Sequence, residues 1–336
     1  MRARVVSGID HARRRAARAY AQHAAAGTGV QCLSLGRRHA ARRRAAAAAA
    51  ARLRANLCAP AHGGRRGEVK YALSADGLTR IGAFVTGKTL LAFDIDGTLA
   101  PIVDRPWDAQ VPHEVQQGLS ALSQRAAVAI ITGRAIEDAR PMLGFAPRYL
   151  VGNHGAEGVP GFEEASAHCA RVCRTWLDEL STTAEAWREV AGIVLEDKTY
   201  SLTFHFRHAR DHGAAQRMLV GRTGRLLPVP TLLDGKFVLN LLPPGAPHKG
   251  EALSALLAQS HCDRALYVGD DASDEAVFRL RSPAILSVRV DHDPNSAADL
   301  FLRGQKDVAR LVRELVRMTA VGGAASPTET RRGADA

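Results

Sequence analysis

The chain is 336 residues long, enough for one large domain or two modest ones with cores of their own. Its formal net charge of +11 sits at one end: residues 1–70 hold 16 Lys and Arg against 2 Asp and Glu, and the other 266 hold 29 against 32. The near-balance of the body removes the electrostatic footprint of a nucleic-acid binder there. The lack of any run of eighteen uncharged apolar residues excludes a helical membrane span.

Taken in chain order, residues 1–70 are rich in Ala and Arg, as in "ARRRAAAAAAARLRAN" (41–56), with almost no Val, Ile or Phe. Such a segment buries too little apolar surface to offset its chain entropy, which predicts disorder or an isolated helix as far as residue 87. Its roles could be a transit peptide or a basic arm. It could also be translated sequence upstream of a start near Val69 or Val85. Gly82 to Thr89 then spell G-x-x-x-x-G-K-T, the P-loop pattern, with Lys88 as its lysine. A P-loop needs a strand before it and a helix after it. Here "SADGLTRI" precedes it with little strand character, and a strand follows at once.

That strand is "TLLAFDID" (89–96), a short apolar run of the buried kind. "HEVQQGLSALSQR" (113–125) has helical spacing, "AVAIITGR" (127–134) is a second buried strand, and "IEDARPMLG" (136–144) opens a helix. "RYLVGNHGAE" (148–157) is a third strand and its loop. This β-α-β-α-β order predicts an α/β fold, a Rossmann-like parallel sheet core. The pattern returns with a helix at 249–260, strands at 264–269 and 283–290, and a closing amphipathic helix at 306–318. Between them, 163–190 reads as helix. "GIVLEDKTYSLTFHFRHA" (192–209) alternates Leu202, Phe204 and Phe206, and "GRLLPVP" and "DGKFVLNLLP" read as two further strands, the second after an Asp-Gly turn. The expected organisation is a core of 88–153 and 243–318, an inserted α+β cap domain of 154–242 that excludes water as a lid, and a polar tail of 319–336.

Five cysteines, with no C-x-x-C pair, fit a reducing, cytoplasmic setting. Cys169 and Cys173 read as small buried hydrophobes on one helix face. Trp107, Trp176 and Trp187 read as packing residues.

In open parallel sheets ligands gather at the carboxyl ends of the strands. Four strand ends here carry polar groups: Asp94 and Asp96; Thr132, Gly133 and Arg134; Gly152, Asn153, His154 and Gly155; and Asp270, Asp271 and Asp274. Lys249 opens the helix before the last of these. Several carboxylates on one edge repel, and hard oxygen ligands point to Mg2+ as the charge that gathers them. A carboxylate can attack phosphorus, and a second, two residues on, can serve as acid and base. Gly97 and Gly133 allow sharp turns that bring backbone close to a ligand.

The ordered set D-x-D-G-T, T-G-R, a lone Lys and G-D-D-x-x-D-E resembles the haloacid dehalogenase-like phosphohydrolases over about 88–318. That resemblance implies Asp94 as nucleophile, Asp96 as general acid and base, and Thr132 and Lys249 as phosphate holders, with Gly97, Thr98, Gly133 and Arg134 against the substrate. It implies Mg2+ on Asp94, Asp96 (through its backbone carbonyl) and Asp270, supported by Asp271 or Asp274. "FDIDGTLAPI", "GNHGAE", "LEDKTYSLTFHFR" and "GDDASDE" resemble the trehalose-6-phosphate phosphatases more closely. This implies that Asn153, His154, Gly155, Glu196 and Lys198 read the disaccharide. Those enzymes carry V-x-E-[IL]-[RK]-P before the lysine; here "FVLNLLPPG" places Asn240 at the acid and Leu242 at the basic position, a neutral and weaker acceptor. His205 and Arg207 read as structural or solvent-facing, and His248 as incidental. The expectation is a monomeric Mg2+-dependent phosphatase for trehalose 6-phosphate, with no membrane or nucleic-acid partner for the body. Sucrose 6-phosphate and mannosyl-3-phosphoglycerate are rival substrates, and a Lys88 nucleotide site or a catalytically dead sugar sensor are rival functions.

Overall fold

The computed structural model describes residues 69–103, 108–182, 192–235 and 237–321. The basic segment 1–68, Trp107, Trp187, Cys32 and Cys58 lie outside these residues.

Seven strands form one wholly parallel sheet: β1 (Lys70–Tyr71), β2 (Thr89–Phe93), β3 (Ala127–Ile131), β4 (Tyr149–Val151), β9 (Arg264–Gly269), β10 (Ile285–Val290) and β11 (Leu300–Leu302). Their order is β1-β11-β10-β9-β2-β3-β4. The central strands are largely apolar on both sides, because both faces of the sheet are covered. In β2, Leu91 and Phe93 join one core, while Leu90 and Ala92 join the other. The first core is closed by α1 (Ala75–Phe84), α2 (His113–Ser123) and α8 (Lys306–Val321), through Ile81, Leu119, Leu311 and Leu315 among others. The second is closed by α6 (Lys249–Gln259) and α7 (Glu275–Phe278), through Leu253, Leu256 and Phe278. A further helix, α3 (Ile136–Leu143), links β3 to β4 and ends on Gly144 at φ 66. The chain runs from β2 outward to β4, then returns to lay β9 on the other side of β2. The reversal between β2 and β9 is the switch point where such sheets bind ligands.

Between β4 and β9 the chain builds a separate antiparallel sheet, with β5 (Val194–Asp197), β6 (Leu202–His205), β7 (Thr231–Gly235) and β8 (Val238–Leu242) in the order β5-β6-β8-β7. Helices α4 (Glu163–Thr182) and α5 (His212–Thr223) belong to the same module, and Trp176, Leu202, Phe204, Leu219, Leu239 and Leu241 are in its core. Trp176 is wholly buried and its indole donates to the Pro228 carbonyl at 2.9 Å; Cys169 and Cys173 are buried in α4. Because Leu202, Phe204, Leu239 and Leu241 face inward, Thr203, His205, Val238 and Asn240 lie on the opposite face. Glu196, Thr203 and Asn240 are register partners in one row across three strands.

The structure corrects several expectations. Residues 70–84 are not tail: β1 pairs in parallel with β11, and Ser74 caps α1 by accepting from the Gly77 amide at 3.1 Å. That segment was hidden because its apolar spacing is sparse and its partner strand lies 230 residues away. The P-loop order is reversed, since Gly82 lies within α1 and Thr89 opens β2, and Lys88 pairs at 3.7 Å with Asp263 on the surface. "GRLLPVP" is not a strand. The strand starts at Thr231, and Asp234 and Gly235 belong to it rather than to a turn. β11, α5 and α7 were not foreseen. No helix among the described residues is long and apolar enough to cross a membrane.

Ile81 is fully buried under the sheet. Ile81→Ala should therefore lower unfolding stability by about 2–4 kcal/mol, measured by chemical denaturation, as a core truncation does. A change below about 0.5 kcal/mol, the scale of a surface substitution, would mean that α1 is not part of the folded unit.

Candidate active site

The ends of β2 and β9 bring the acidic residues together. Asp94 follows β2, and its amide donates to the Val268 carbonyl of β9 at 2.9 Å, so the two strand ends are stitched together where they diverge. One carboxylate oxygen from each of Asp94, Asp270 and Asp274 lies within 4.8 Å of the others. Lys249, the first residue of α6, reaches this group from below: its ammonium stands 3.1 Å from Asp94 Oδ1 and 2.8 Å from Asp274 Oδ1, at 1% exposure. The placement of Lys249 depends on the start of its helix. There His248 accepts from the Gly250 and Glu251 amides at 3.1 and 3.2 Å, and Glu251 accepts from the His248 amide. His248 is thus a capping residue, a role usually given to Ser, Thr, Asp or Asn.

The four acids differ in what already holds them. Asp274 accepts from Tyr267 Oη at 2.6 Å and from the Asp270 and Asp271 amides at 2.8 and 3.0 Å, besides Lys249. Its job is to shape the loop and fix the lysine. Asp271 turns away to take the Ser273 amide and hydroxyl at 2.8 and 2.6 Å. Asp270 accepts from Thr98 Oγ1 at 3.0 Å, and Gly97, at φ 80, has no room for a Cβ against the Asp270 carboxylate. Asp94 and Asp270 are therefore the acids with capacity to spare. The charges follow. Burial pushes the Asp94 carboxyl well above its ordinary range, against the pull of Lys249 and with help from Asp274 and Asp270. Burial, then the charges of Asp271 and Asp274, push Asp270 up to about 7. Asp271 is down at about 2, because Lys249 and the Ser273 hydrogen bond outweigh its burial. Burial disfavours the Lys249 ammonium, but Asp274 and Asp94 hold its pKa well above the ordinary lysine value. Acids that favour their protons when left alone are short of positive charge, and a divalent cation fits the deficit.

Asp96 holds its side chain apart from the other acids. Both of its oxygens accept from Arg134, Nε and Nη2, at 2.6 Å each, and its carboxylate lies outside the cluster. Arg134 braces Asp96. Asp271 is likewise outside the metal-ligating group, being occupied by Ser273. Thr132 is buried, and its hydroxyl accepts from the Arg134 amide at 3.2 Å. Gly133 carries the His154 ring against it, where a Cβ would clash. His154, at φ 58, is buried with Nδ1 unpaired among the described residues; burial and the charges of Lys249 and Lys198 lower its pKa to about 3, so it is a neutral imidazole. Gly155, at φ 120, packs on the His248 carbonyl. Asn153 is wholly buried and its amide is engaged on both sides, by Glu157, Lys198 and Ser201. Asn240 accepts from Thr203 Oγ1 at 2.8 Å and donates to the Leu233 carbonyl at 3.2 Å.

A cavity of about 850 Å³ opens between α2 and α3 on one side and β5, β6 and β8 on the other. Arg134 and Glu196 line it, as the sequence suggests. Asn153, His154, Gly155, Lys198 and Asn240 are not among its walls, while Gln116, Asp138, His205 and Arg207 are. The sequence held a signal for two of these: His205 and Arg207 are out of phase with Leu202, Phe204 and Phe206, so they face away from the module's core. Gln116 and Asp138 carried none, being polar residues on the outer faces of their helices. Glu196 accepts from His205 Nε2 at 2.6 Å, with Lys198 at 3.7 Å. Burial raises the Glu196 pKa, but His205 and the cations Lys198 and Arg134 bring it below the ordinary value.

A family model for trehalose-phosphatase matches residues 92–306. The chain belongs to the trehalose-phosphatase family. Members are phosphoric monoester hydrolases, and the strand-end carboxylates with their buried lysine sit inside the matched span. Two Mycobacterium tuberculosis proteins described as uncharacterized glycosyl hydrolases are 32% identical over 252 residues, 69% of this chain. The chain spans 18% of their length. A Sinorhizobium fredii protein named "Probable trehalose-phosphate phosphatase" is 33% identical over 196 residues, 56% of this chain and 72% of its own. Among solved structures, the C-terminal domain of the Candida albicans trehalose-6-phosphate phosphatase superposes with a TM-score of 0.62 at 19% identity, covering 75% of this chain and 99% of that one. That likeness establishes the fold.

Asp270 sets a pH window for the cation. Its folded pKa of about 7 exceeds its ordinary 3.8. Its contribution to stability is thus full below 3.8 and is lost as pH rises through 7. Above 7 the cluster is at its most repulsive and a divalent cation gains the most. The thermal shift on adding a divalent cation should therefore be larger at pH 8 than at pH 6; an equal or smaller shift would exclude Asp270 as a ligand.

Proposed function

We propose that the chain hydrolyses trehalose 6-phosphate to trehalose and phosphate, with Asp94 as nucleophile. The observation that carries the reading is the buried group Asp270, Asp94, Lys249 and Asp274 at the switch point of the sheet, and Arg134, which holds Asp96, lines a cavity large enough for a disaccharide. Asp94 and Asp270 would hold Mg2+ together with the Asp96 backbone carbonyl; the ion would supply charge neutralisation and polarise the phosphoryl oxygens. Lys249 and Thr132 would hold the phosphoryl group, with the backbone amides after Asp94. The Asp94 carboxylate attacks phosphorus, the bond from phosphorus to the sugar oxygen breaks, and Asp96 gives its proton to that oxygen. Asp96 then takes a proton from water, whose oxygen attacks the aspartyl-phosphate, so that phosphate leaves and Asp94 is restored. Asp96 must leave the Arg134 fork to do this, since a carboxylate clamped by two guanidinium hydrogen bonds holds no proton to give. The four-stranded module acts as a cap, with Glu196, His205 and Arg207 meeting sugar hydroxyls from above, and Gln116 and Asp138 from below.

Asn240 favours a second reading of the substrate. Its carboxamide is engaged by Thr203 and Leu233, so the family's acidic hydroxyl acceptor is missing from that row. Another sugar phosphate, such as sucrose 6-phosphate or mannosyl-3-phosphoglycerate, would then be the better substrate.

Phosphate release from trehalose 6-phosphate, set beside those two and glucose 6-phosphate, with Mg2+ and with EDTA, decides between these readings. Asp94→Asn should bind Mg2+ more weakly and reduce turnover by at least about 10³-fold. Turnover within tenfold of the unsubstituted enzyme would rule out the covalent scheme. Lys198→Ala should raise KM for trehalose 6-phosphate about tenfold or more and narrow the preference over an aryl phosphate, which has no sugar. An equal loss on both would refute a sugar-reading role.

A further inference from the structure

Among the described residues of the four-stranded module, Lys198 owes its position to contacts that none of the motifs describes. It begins the turn Lys198–Ser201 between β5 and β6, closed by the Lys198 amide donating to the Ser201 carbonyl at 3.1 Å. Ser201 is buried at 1% exposure, and its hydroxyl donates to Asn153 Oδ1 at 2.6 Å. The other side of the same carboxamide, Nδ2, donates to the Lys198 carbonyl at 3.2 Å and to Glu157 Oε2 at 2.9 Å. Glu157 Oε2 also accepts from the Ile136 amide at the start of α3. One core amide therefore grips the turn at both ends, and α3 steadies that amide. Thr199, between the two grips, sits at φ 70, a conformation a β-branched residue adopts only when its surroundings impose it.

The lysine head itself is held loosely. Its ammonium is 3.4 Å from the Gly133 carbonyl and 3.7 Å from Glu196. Neither contact is short, and the side chain is only 11% exposed, so its direction follows from where the stem leaves the backbone. The ammonium is aimed by where its backbone is pinned.

We infer that Ser201 is a positioning residue for Lys198: its hydroxyl docks the β5–β6 turn on Asn153 and so sets the lysine ammonium between the Gly133 carbonyl and Glu196, which lines the cavity. The inference deepens the function proposed above and rests on its reading that Lys198 helps to read the sugar. It also gives Asn153 a role other than sugar recognition. Removing the hydroxyl leaves Asn153 Oδ1 buried and unpaired, and the turn moves to relieve it.

The test is a cycle of Ser201→Ala, Lys198→Ala and the double variant, read on trehalose 6-phosphate. Ser201→Ala should raise KM about tenfold with kcat within about twofold, and should add no more than about twofold to KM once Lys198 is alanine. Additive effects, or equal losses in KM and kcat, would make Ser201 a merely structural residue and overturn the inference. An unchanged KM would do the same. Amide hydrogen exchange over 194–206 stands apart from any substrate. In the unsubstituted protein the Lys198 and Tyr200 amides should exchange slowly, and Ser201→Ala should speed them at least tenfold. If Ser201→Ala does not fold, fast exchange of these amides in the unsubstituted protein would still refute the docking, and slow exchange would support it. If the unsubstituted protein releases no phosphate from trehalose 6-phosphate, the functional reading fails, and the exchange result alone judges the latch.

Discussion

The rest of the site depends on one electrostatic constraint: carboxylates buried at the ends of two neighbouring parallel strands, with the buried Lys249 ammonium among them. Taking a charge out of water is costly unless a partner and hydrogen bonds replace its hydration. Lys249 stands within 3.1 Å of both Asp94 and Asp274 and is buried with them. Asp274 receives four donors and is the fixed member of the group. Asp94 and Asp270 are left under-compensated, and their raised pKa values express that deficit. A site short of positive charge suits a doubly charged cation and, through it, a phosphate.

The parallel sheet explains why this arrangement forms. β2 and β9 are apolar on both faces, so their polar residues are pushed to the strand ends. The strand order reverses there, and such reversals leave a crevice at the carboxyl ends of the strands. The capping of α6 by His248 and Glu251 then aims Lys249 towards those ends. Each element does an ordinary local task, and the site results from their sharing one edge.

Among the described residues, polar contacts tie the four-stranded module to that edge. Asn153 grips the β5–β6 turn, while Arg134 occupies Asp96 and also lines the cavity. The guanidinium that braces the acid therefore lies where a sugar would enter. Arrival of substrate and release of Asp96 can be one event, because a sugar or phosphoryl oxygen competes for the same donors.

Much of this was legible in the sequence. The apolar runs of β2, β3 and β9 announce a parallel sheet, since strands covered on both faces need no alternation. Asp94 and Asp270 could be named because strand ends concentrate chemistry, and Lys249 because it opens the helix that leads into the last of them. The reversed order around Gly82–Thr89 was legible too, as a P-loop with a strand in the wrong place. Only the tertiary structure decided which partners the side chains took. That Asp96 lies in the fork of Arg134, that Asn153 and Asn240 spend their amides on the protein itself, and that Asp138 and Gln116 face the cavity are long-range pairings. β1, α1 and β11 were hidden for the same reason, being short or sparsely apolar and held by a partner far along the chain. Local pattern fixes what a residue can do; the contacts that fix what it does are set by segments the pattern does not connect.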